Sequence, residues 1–391
     1  MSVADVAVKG KRVLLRVDFN VPLSGERVVD DTRIRAALPT ITDLLKRGAR
    51  LILATHLGRP GGEIRPELRL DPVAARLSEL LGRPVCKVDE VVGREVEEAA
   101  RGLAEGEVLM LENIRFEQGE EANDPDFARQ LAQLADLFVN DAFGTAHRAH
   151  ASTAGVAEYI PAVAGLLMIR EIEVLSRCLE QPARPLAAIL GGAKVSDKLQ
   201  VLHRFLELTD TLLIGGGMAN TFLAALECPL GDSFYEEDSL EDARDILEAS
   251  EDSNCCLQLP VDLTVTRELK PHSPFKNVAV GEVAEGWKAV DIGPETASLY
   301  SDIVAEAGTI LWNGPLGVFE TAPFHRGTEK VARAVAGSRA FSIVGGGDIV
   351  AALEGFGLAD EIGFISTGGG ATLKLWEGAA LPGIEVLLDK E

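Results

Sequence analysis

The stretch AALPTITDLLKRGARLILATHLGRP, Ala36–Pro60, reads as a helix, a stop and a strand in immediate succession. A helix fits Ala36–Arg47 and closes on Gly48, the residue type that most easily ends a helix. The apolar run Arg50–Thr55 behind it fits a strand, which ends on His56 and Arg59 in a Gly-Arg-Pro turn. Another apolar strand, Arg12–Asp18, precedes the helix. Strand and helix alternating in this way imply a parallel sheet flanked by helices.

The same alternation runs through the rest of the chain. In the first half, strands also fit Val85–Val88, Glu107–Glu112 and Asp136–Asn140, and helices fit Asp71–Leu81 and Asp124–Ala135. Asp71-Pro72 and Asp124-Pro125 each set an N-cap residue before a first-turn proline. Ala164–Leu179 carries Leu167, Ile172, Leu175 and Leu179 near helical spacing, and reads as a helix bridging two domains. Gln181-Pro182 and Arg184-Pro185 then break the chain before a strand at Leu186–Leu190. Further strands fit Thr211–Ile214, Leu257–Leu263, Thr309–Trp312, Ala340–Val344 and Glu361–Ser366. A chain of 391 residues exceeds one ordinary core, so two domains are expected.

Composition narrows the function. A formal net charge of −23 disfavours nucleic acid and anionic membrane surfaces as partners. No apolar run is long enough for a membrane span, and the N-terminus lacks the core of a signal peptide, so cytoplasmic residence is expected. Five cysteines without a C-x-x-C pair argue against a disulfide framework, and the adjacent Cys255 and Cys256 read as buried structural thiols. No zinc-type cluster of Cys and His stands out, and the acidic stretch Asp232–Asp252 reads as a solvated helix face.

Strand endings divide the halves. In the first, apolar runs end on basic residues: RVDFN (Arg16–Asn20), ATHLGRP (Ala54–Pro60), ENIRF (Glu112–Phe116) and FGTAHRAH (Phe143–His150). In the second they end on glycines: ILGGAK (Ile189–Lys194), LIGGGMA (Leu213–Ala219), IVGGGD (Ile343–Asp348) and ISTGGGA (Ile365–Ala371). Ligands of open parallel sheets bind beyond the carboxyl ends of strands. Arginine forks grip phosphate and carboxylate, whereas glycine lets bare backbone N–H groups approach a polyphosphate. Each residue also has a plainer reading: Asp18 and Asn20 as turn formers, Arg33 as an exposed cation, Asp348 as an N-cap. Basic strand ends recurring at His56, Arg59, Arg115 and Arg148 are hard to attribute to turns. Lys194 and Lys198 after one glycine turn, with Asp348 after another, favour a magnesium nucleotide.

Absent motifs sharpen the chemistry. There is no G-x-G-x-x-G fingerprint, no G-x-x-x-x-G-K-[ST] loop, no G-x-S-x-G elbow and no H-E-x-x-H. Phosphoryl transfer between a carboxylate and a nucleotide phosphate needs none of these, because its nucleophile is already ionised.

The motifs RVDFNVP, DTRIRAALPTI, HLGRP, LENIRF, NDAFGTAHRAH, GGAKVSDK, GGGMANTF, WNGPLGVFE, GGGD and STGGGA, in this order from Arg16 to Ala371, resemble those of phosphoglycerate kinase. The resemblance implies an α/β protein of two Rossmann-like parallel-sheet domains, joined by a helix, with the substrate cleft between them. It implies a triose domain at 1–163, a bridging helix at 164–182, a nucleotide domain at 183–370, and a tail at 371–391 returning to the first domain. The implied reaction is reversible phosphoryl transfer between 1,3-bisphosphoglycerate and MgADP, giving 3-phosphoglycerate and MgATP, in a cytoplasmic monomer.

By the same resemblance, Asp18, Phe19, Asn20, Arg33, His56, Leu57, Gly58, Arg59, Arg115 and Arg148 would bind the triose. Arg33, Lys198 and Lys194 would act on the transferring phosphoryl group. Gly216, Gly217, Gly293, Asn313, Glu320, Gly346, Gly347, Asp348, Ile349 and Lys198 would form the nucleotide site, with Mg²⁺ at Asp348. Ser366 and Thr367 would belong to a hinge. The chain departs from the family pattern at Ile349, usually threonine, which takes a hydroxyl from the helix start beside the phosphates. Ala224, Lys374 and Ala379 replace the usual lysine, glutamate and lysine. Two other readings remain open: a ligand-binding protein that has kept the fold without turnover, and a nicotinamide-dependent dehydrogenase.

Overall fold

The computed structural model describes residues 1–387. The chain divides into two compact units, Met1–Val174 with the chain from Ala380 onward, and Leu175–Ala379. The division falls inside one helix, Leu166–Glu180. Residues 388–391 of the expected terminal tail lie outside the described residues. No described helix is long and apolar enough to cross a membrane.

The first unit is built on a six-stranded parallel sheet. Its strands are β1 (Arg12–Arg16), β2 (Arg50–Ala54), β3 (Cys86–Lys87), β4 (Val108–Met110), β5 (Leu137–Asn140) and β6 (Ala162–Ala164). They lie in the order β3-β4-β2-β1-β5-β6. Successive residues of a strand face opposite sides, so Val13 and Leu15 enter one apolar cluster and Leu14 the other. Burial on both faces is why these strands read as continuous apolar runs. Chain order reverses beside β1, which opens a crevice at the carboxyl ends of β1 and β5.

Helix Thr32–Lys46 covers one face of this sheet with Ile34, Ala37, Ile41, Leu44 and Leu45. It begins earlier than the expected Ala36 because the Asp30 carboxylate accepts from the Thr32 N–H at 2.8 Å and the Thr32 hydroxyl at 2.6 Å. Arg33 therefore sits inside the first turn rather than ahead of it.

The second unit carries β7 (Leu186–Leu190), β8 (Thr211–Ile214), β9 (Cys256–Gln258), β10 (Asp262–Thr266), β11 (Phe275–Ala279), β12 (Lys288–Ile292), β13 (Thr309–Asn313), β14 (Phe341–Val344) and β15 (Phe364–Ile365). Six of them form a parallel sheet in the order β9-β8-β7-β13-β14-β15. The other three form an antiparallel sheet, β11-β10-β12, which the alternation of strands and helices did not reveal. The expected strand Leu257–Leu263 is in fact β9 and the start of β10, parted at Pro260, which has no N–H to give a ladder. Cys255 is buried, its sulfur 3.2 Å from the Thr209 hydroxyl, but Cys256 is exposed at the start of β9. The expectation of two buried thiols is corrected for Cys256, since neighbouring strand residues face opposite ways.

Candidate active site

The carboxyl ends of β1, β2, β4 and β5 lead to the basic residues of the first unit. Arg33 donates through Nη1 to the Asp18 carboxylate at 3.0 Å and to the Asn20 carbonyl at 3.4 Å. The Asn20 side-chain oxygen accepts from the Gly58 N–H at 2.9 Å, which ties the loop after β1 to the loop after β2. Arg115 donates to the Gly58 carbonyl at 2.8 Å and lies 3.1 Å from the Glu121 carboxylate. Burial lowers the pKa of His56 well below its ordinary value, and Arg16, Arg115, Arg33 and Arg148 lower it further, so the imidazole is neutral. Arg59 is exposed on the same loop, while Arg148 bonds His147 at 3.1 Å.

Phe19 and Leu57 are buried in the apolar cluster beneath this surface. Their backbone N–H groups are already taken, by the Thr55 hydroxyl at 2.9 Å and the Asn113 side-chain oxygen at 3.2 Å. They are the frame on which the charged groups are mounted.

Sequence reasoning missed three members of this frame. Arg16, the last residue of β1, is fully buried and bonds Ser152, Val17 and His56. Asn113, also fully buried, donates to the Leu57 carbonyl at 2.8 Å and the Leu68 carbonyl at 3.0 Å. Its side-chain oxygen accepts from the N–H groups of both Leu57 and Arg115. Glu120 is buried with both carboxylate oxygens on Ser152. A signal existed for Arg16, a charge in the middle of the apolar run RVLLRV. Nothing marks Asn113 and Glu120 apart from surface polar residues.

The glycine turns of the second unit interlock backbone with backbone. A Cβ placed on Gly191 would meet the Pro315 carbonyl oxygen at 2.1 Å, and one on Gly216 the Gly192 oxygen at 2.6 Å. Gly216 also has φ of +69°, which L side chains rarely adopt. Gly217, Gly192, Glu320 and Asp348 join Gly216 around a cavity of about 290 Å³, with Leu316 and Asp291. Lys198 donates to the Gly191 carbonyl, and burial lowers its pKa to about 8 against the opposing pull of Asp197 and Asp348. Lys194, which lies between that glycine turn and Lys198, is exposed.

The remaining expected nucleotide residues are not among those lining this cavity. Gly293 caps helix Pro294–Glu306 and faces a second, smaller cavity with Phe275, Arg326 and Lys330. Asn313 donates from its amide to the Gly345 carbonyl at 2.6 Å, which joins the ends of β13 and β14. Gly346 and Gly347 start helix Gly347–Gly355, whose first helical bond runs from the Val350 N–H to the Gly346 carbonyl at 3.1 Å. The first-turn N–H groups of Gly347, Asp348 and Ile349 thus stand at a positive helix end. The Ile349 side chain itself is fully buried in the apolar core, so only its backbone belongs to that end.

Comparison with known proteins places this geometry. A family model described as phosphoglycerate kinase matches residues 3–379. The chain belongs to the phosphoglycerate kinase family. A phosphoglycerate kinase of Moorella thermoacetica is 57% identical over 390 residues, covering 100% of this chain and 99% of that protein. The solved phosphoglycerate kinase of Coxiella burnetii superposes with a TM-score of 0.88 at 43% identity, covering 99% of this chain and 98% of that one. That of Pyrococcus horikoshii gives 0.86 at 34% identity, covering 99% and 98%.

The activity is that of phosphoglycerate kinases: reversible phosphoryl transfer between 1,3-bisphosphoglycerate and ADP, giving 3-phosphoglycerate and ATP. Kinases of this family generally work on the magnesium nucleotide. Of the departures from the family pattern, Lys374 makes a local ion pair with Glu377 at 2.6 Å.

Proposed function

We propose that the first unit holds the triose and the second the nucleotide, and that the basic strand ends and the glycine turns divide the work. In the forward direction an oxygen of the ADP β-phosphate attacks the acyl phosphorus of 1,3-bisphosphoglycerate. The new P–O bond forms as the bond to the C1 carboxyl oxygen breaks, and 3-phosphoglycerate leaves as a carboxylate. Neither attacking nor leaving oxygen exchanges a proton, which fits a site with forks and amides but no base. Asp18, Asn20, His56, Arg59, Arg115 and Arg148 bind the triose, and Arg33 stabilises the charge on the transferring group. Lys198 meets that group from the nucleotide side, with Lys194 assisting. Gly216, Gly217 and Glu320 line the nucleotide pocket, and the N–H groups at Gly347–Ile349 receive phosphate oxygens.

The observation that carries this reading is the interlocked glycine floor, with Lys198 and Asp348 at the same end of the sheet. Among the described residues no group of three or more ligating side chains could hold a metal unaided. One carboxylate at Asp348, completed by phosphate oxygens and water, suits Mg²⁺, which when bound to the nucleotide neutralises phosphate charge. Transfer needs both substrates in line and out of water, so the proposed cycle includes a closing step with Ser366 and Thr367 as hinge members. Free cysteines and the acidic composition support a cytoplasmic protein, and we read it as a monomer.

The test is ATP consumption with 3-phosphoglycerate and Mg²⁺. Arg33→Ala is expected to lower kcat by about a hundredfold or more while leaving ADP affinity nearly unchanged. Loss of ADP binding in that variant would assign Arg33 to the wrong ligand.

A further inference from the structure

The ring of His56 sits among cations, and its usefulness to an anion depends on which nitrogen bears the proton. Its surroundings are Arg16, Arg33, Arg115 and Arg148, with the Asp18 carboxylate 3.9 Å from Nδ1, too long for a hydrogen bond. Arg16 Nη2 lies 3.2 Å from Nδ1. A guanidinium has donors and no acceptor, so Nδ1 must accept, and the proton of the neutral ring must be on Nε2. The opposite tautomer would set one N–H against another and leave Nε2 as a bare lone pair, which repels an anion.

Arg16 is itself held for this task. It is fully buried at the end of β1, where it donates through Nε to the Ser152 hydroxyl at 2.8 Å and through Nη1 to the Val17 carbonyl. The Ser152 hydroxyl passes its own proton bond to Glu120 at 2.7 Å, and the Ser152 N–H bonds the other Glu120 oxygen at 3.0 Å. Glu120 is fully buried and supplies the counter-charge through the serine. Burying such a pair is costly in desolvation, a cost that a merely structural position could avoid with apolar side chains.

We propose that Arg16, backed by Ser152 and Glu120, is a positioning residue that fixes His56 as the Nε2–H tautomer, so that the ring donates to the triose anion. The proposal rests on the reading of His56 as a triose residue. The Arg16 charge does not touch substrate; it acts through the ring.

The first experiment needs no variant. With nitrogen-15 in the histidines, of which the chain has six, the His56 ring is assigned by its absence in His56→Gln. Expected is a ring still neutral at about pH 6.5, where an ordinary imidazole is half charged, with Nδ1 unprotonated and an Nε2–H signal that moves on adding 3-phosphoglycerate but not MgADP. An Nδ1–H tautomer, or a ring already half charged at that pH, overturns the lock even if the signal responds to the triose. A ring locked as expected but indifferent to 3-phosphoglycerate overturns the assignment of His56 to the triose, and the proposal with it.

The second experiment uses Arg16→Met with Glu120→Gln, which leaves neither charge unpaired. KM for 3-phosphoglycerate should rise by about tenfold, the scale of one lost charge-assisted hydrogen bond, and should become pH-dependent as His56 regains a titration. KM for the nucleotide should stay within about twofold. A rise in KM that is the same at every pH, with the His56 tautomer unchanged, would make Arg16 structural and overturn the proposal.

Discussion

The ammonium of Lys198 loses its proton near pH 8, because burial outweighs the pull of Asp197 and Asp348. A cation with a lowered pKa is fully charged only below that value, so kcat/KM for the nucleotide should fall about tenfold per pH unit above about 8. Bound phosphate favours the charged form, so the limb in kcat should lie at higher pH. Lys198→Arg, whose side chain keeps its proton, should lose the limb; a flat profile to pH 10 in the native protein would remove Lys198 from the reaction. Ile349 calls for a different expectation. Its side chain is in the core, so Ile349→Thr should cost about 1–2 kcal/mol of stability, read as a lower Tm, while nucleotide kinetics change by less than about tenfold. A large kinetic gain at unchanged Tm would mean that the threonine hydroxyl reaches the phosphates. His56, Lys198 and Asp348 stood out in the sequence because each lies just past an apolar run or the glycine turn that ends one, whereas Arg33, which follows Asp30-Asp31-Thr32, was singled out only by the family resemblance. Arg16 showed as a charge inside an apolar run, but its bond to the His56 ring is one that no spacing records.

Asp141 follows β5 and caps helix Leu166–Glu180, accepting from the N–H groups of Leu167 at 2.9 Å and Met168 at 3.1 Å. Burial raises its pKa from 3.8 to about 6 in spite of those bonds. An acid whose folded pKa is raised holds its proton more tightly when folded. Its contribution therefore declines as pH rises from about 4 to about 6, by up to about 3 kcal/mol, and is level above that range. Asp141→Asn keeps an acceptor for the cap without a charge to bury. Urea unfolding at pH 4 and pH 7 should find the variant gaining on the native protein at pH 7; an equal difference at both would show that Asp141 titrates normally. At this scale the parallel strands were legible, and the antiparallel sheet was not. Cys256–Thr266 is one apolar-rich run in sequence, and only the missing N–H of Pro260 divides it between two sheets. Strand periodicity reports burial, and burial does not distinguish the two.

For the molecule as a whole, a formal charge of −23 surrounds sites that take anions. Long-range repulsion is screened within about 8 Å at 0.15 M salt, whereas contacts inside the basic site are shorter than that. kcat/KM for 3-phosphoglycerate should therefore rise as salt goes from about 10 to about 100 mM and fall once salt competes for the arginines. Steady-state rates across that range check it; a monotonic fall from the lowest salt would mean that the arginines, not the acidic surface, govern approach. The two-unit plan was legible because each half alternates strand and helix. The position of the division inside Leu166–Glu180 was not, since a helix reads the same on either side of a boundary. The interlocked turns also bear on how such a chain can diverge. A Cβ on Gly191, Gly216 or Gly314 would meet a carbonyl oxygen at 2.1, 2.6 and 2.4 Å, and backbone cannot step aside as a side chain can. Descendants of this sequence can drift at positions such as the half-buried Ala224 and the exposed Lys374, which already differ from the family's habit. At these interlocked turns, selection has no neighbouring amino acid to try.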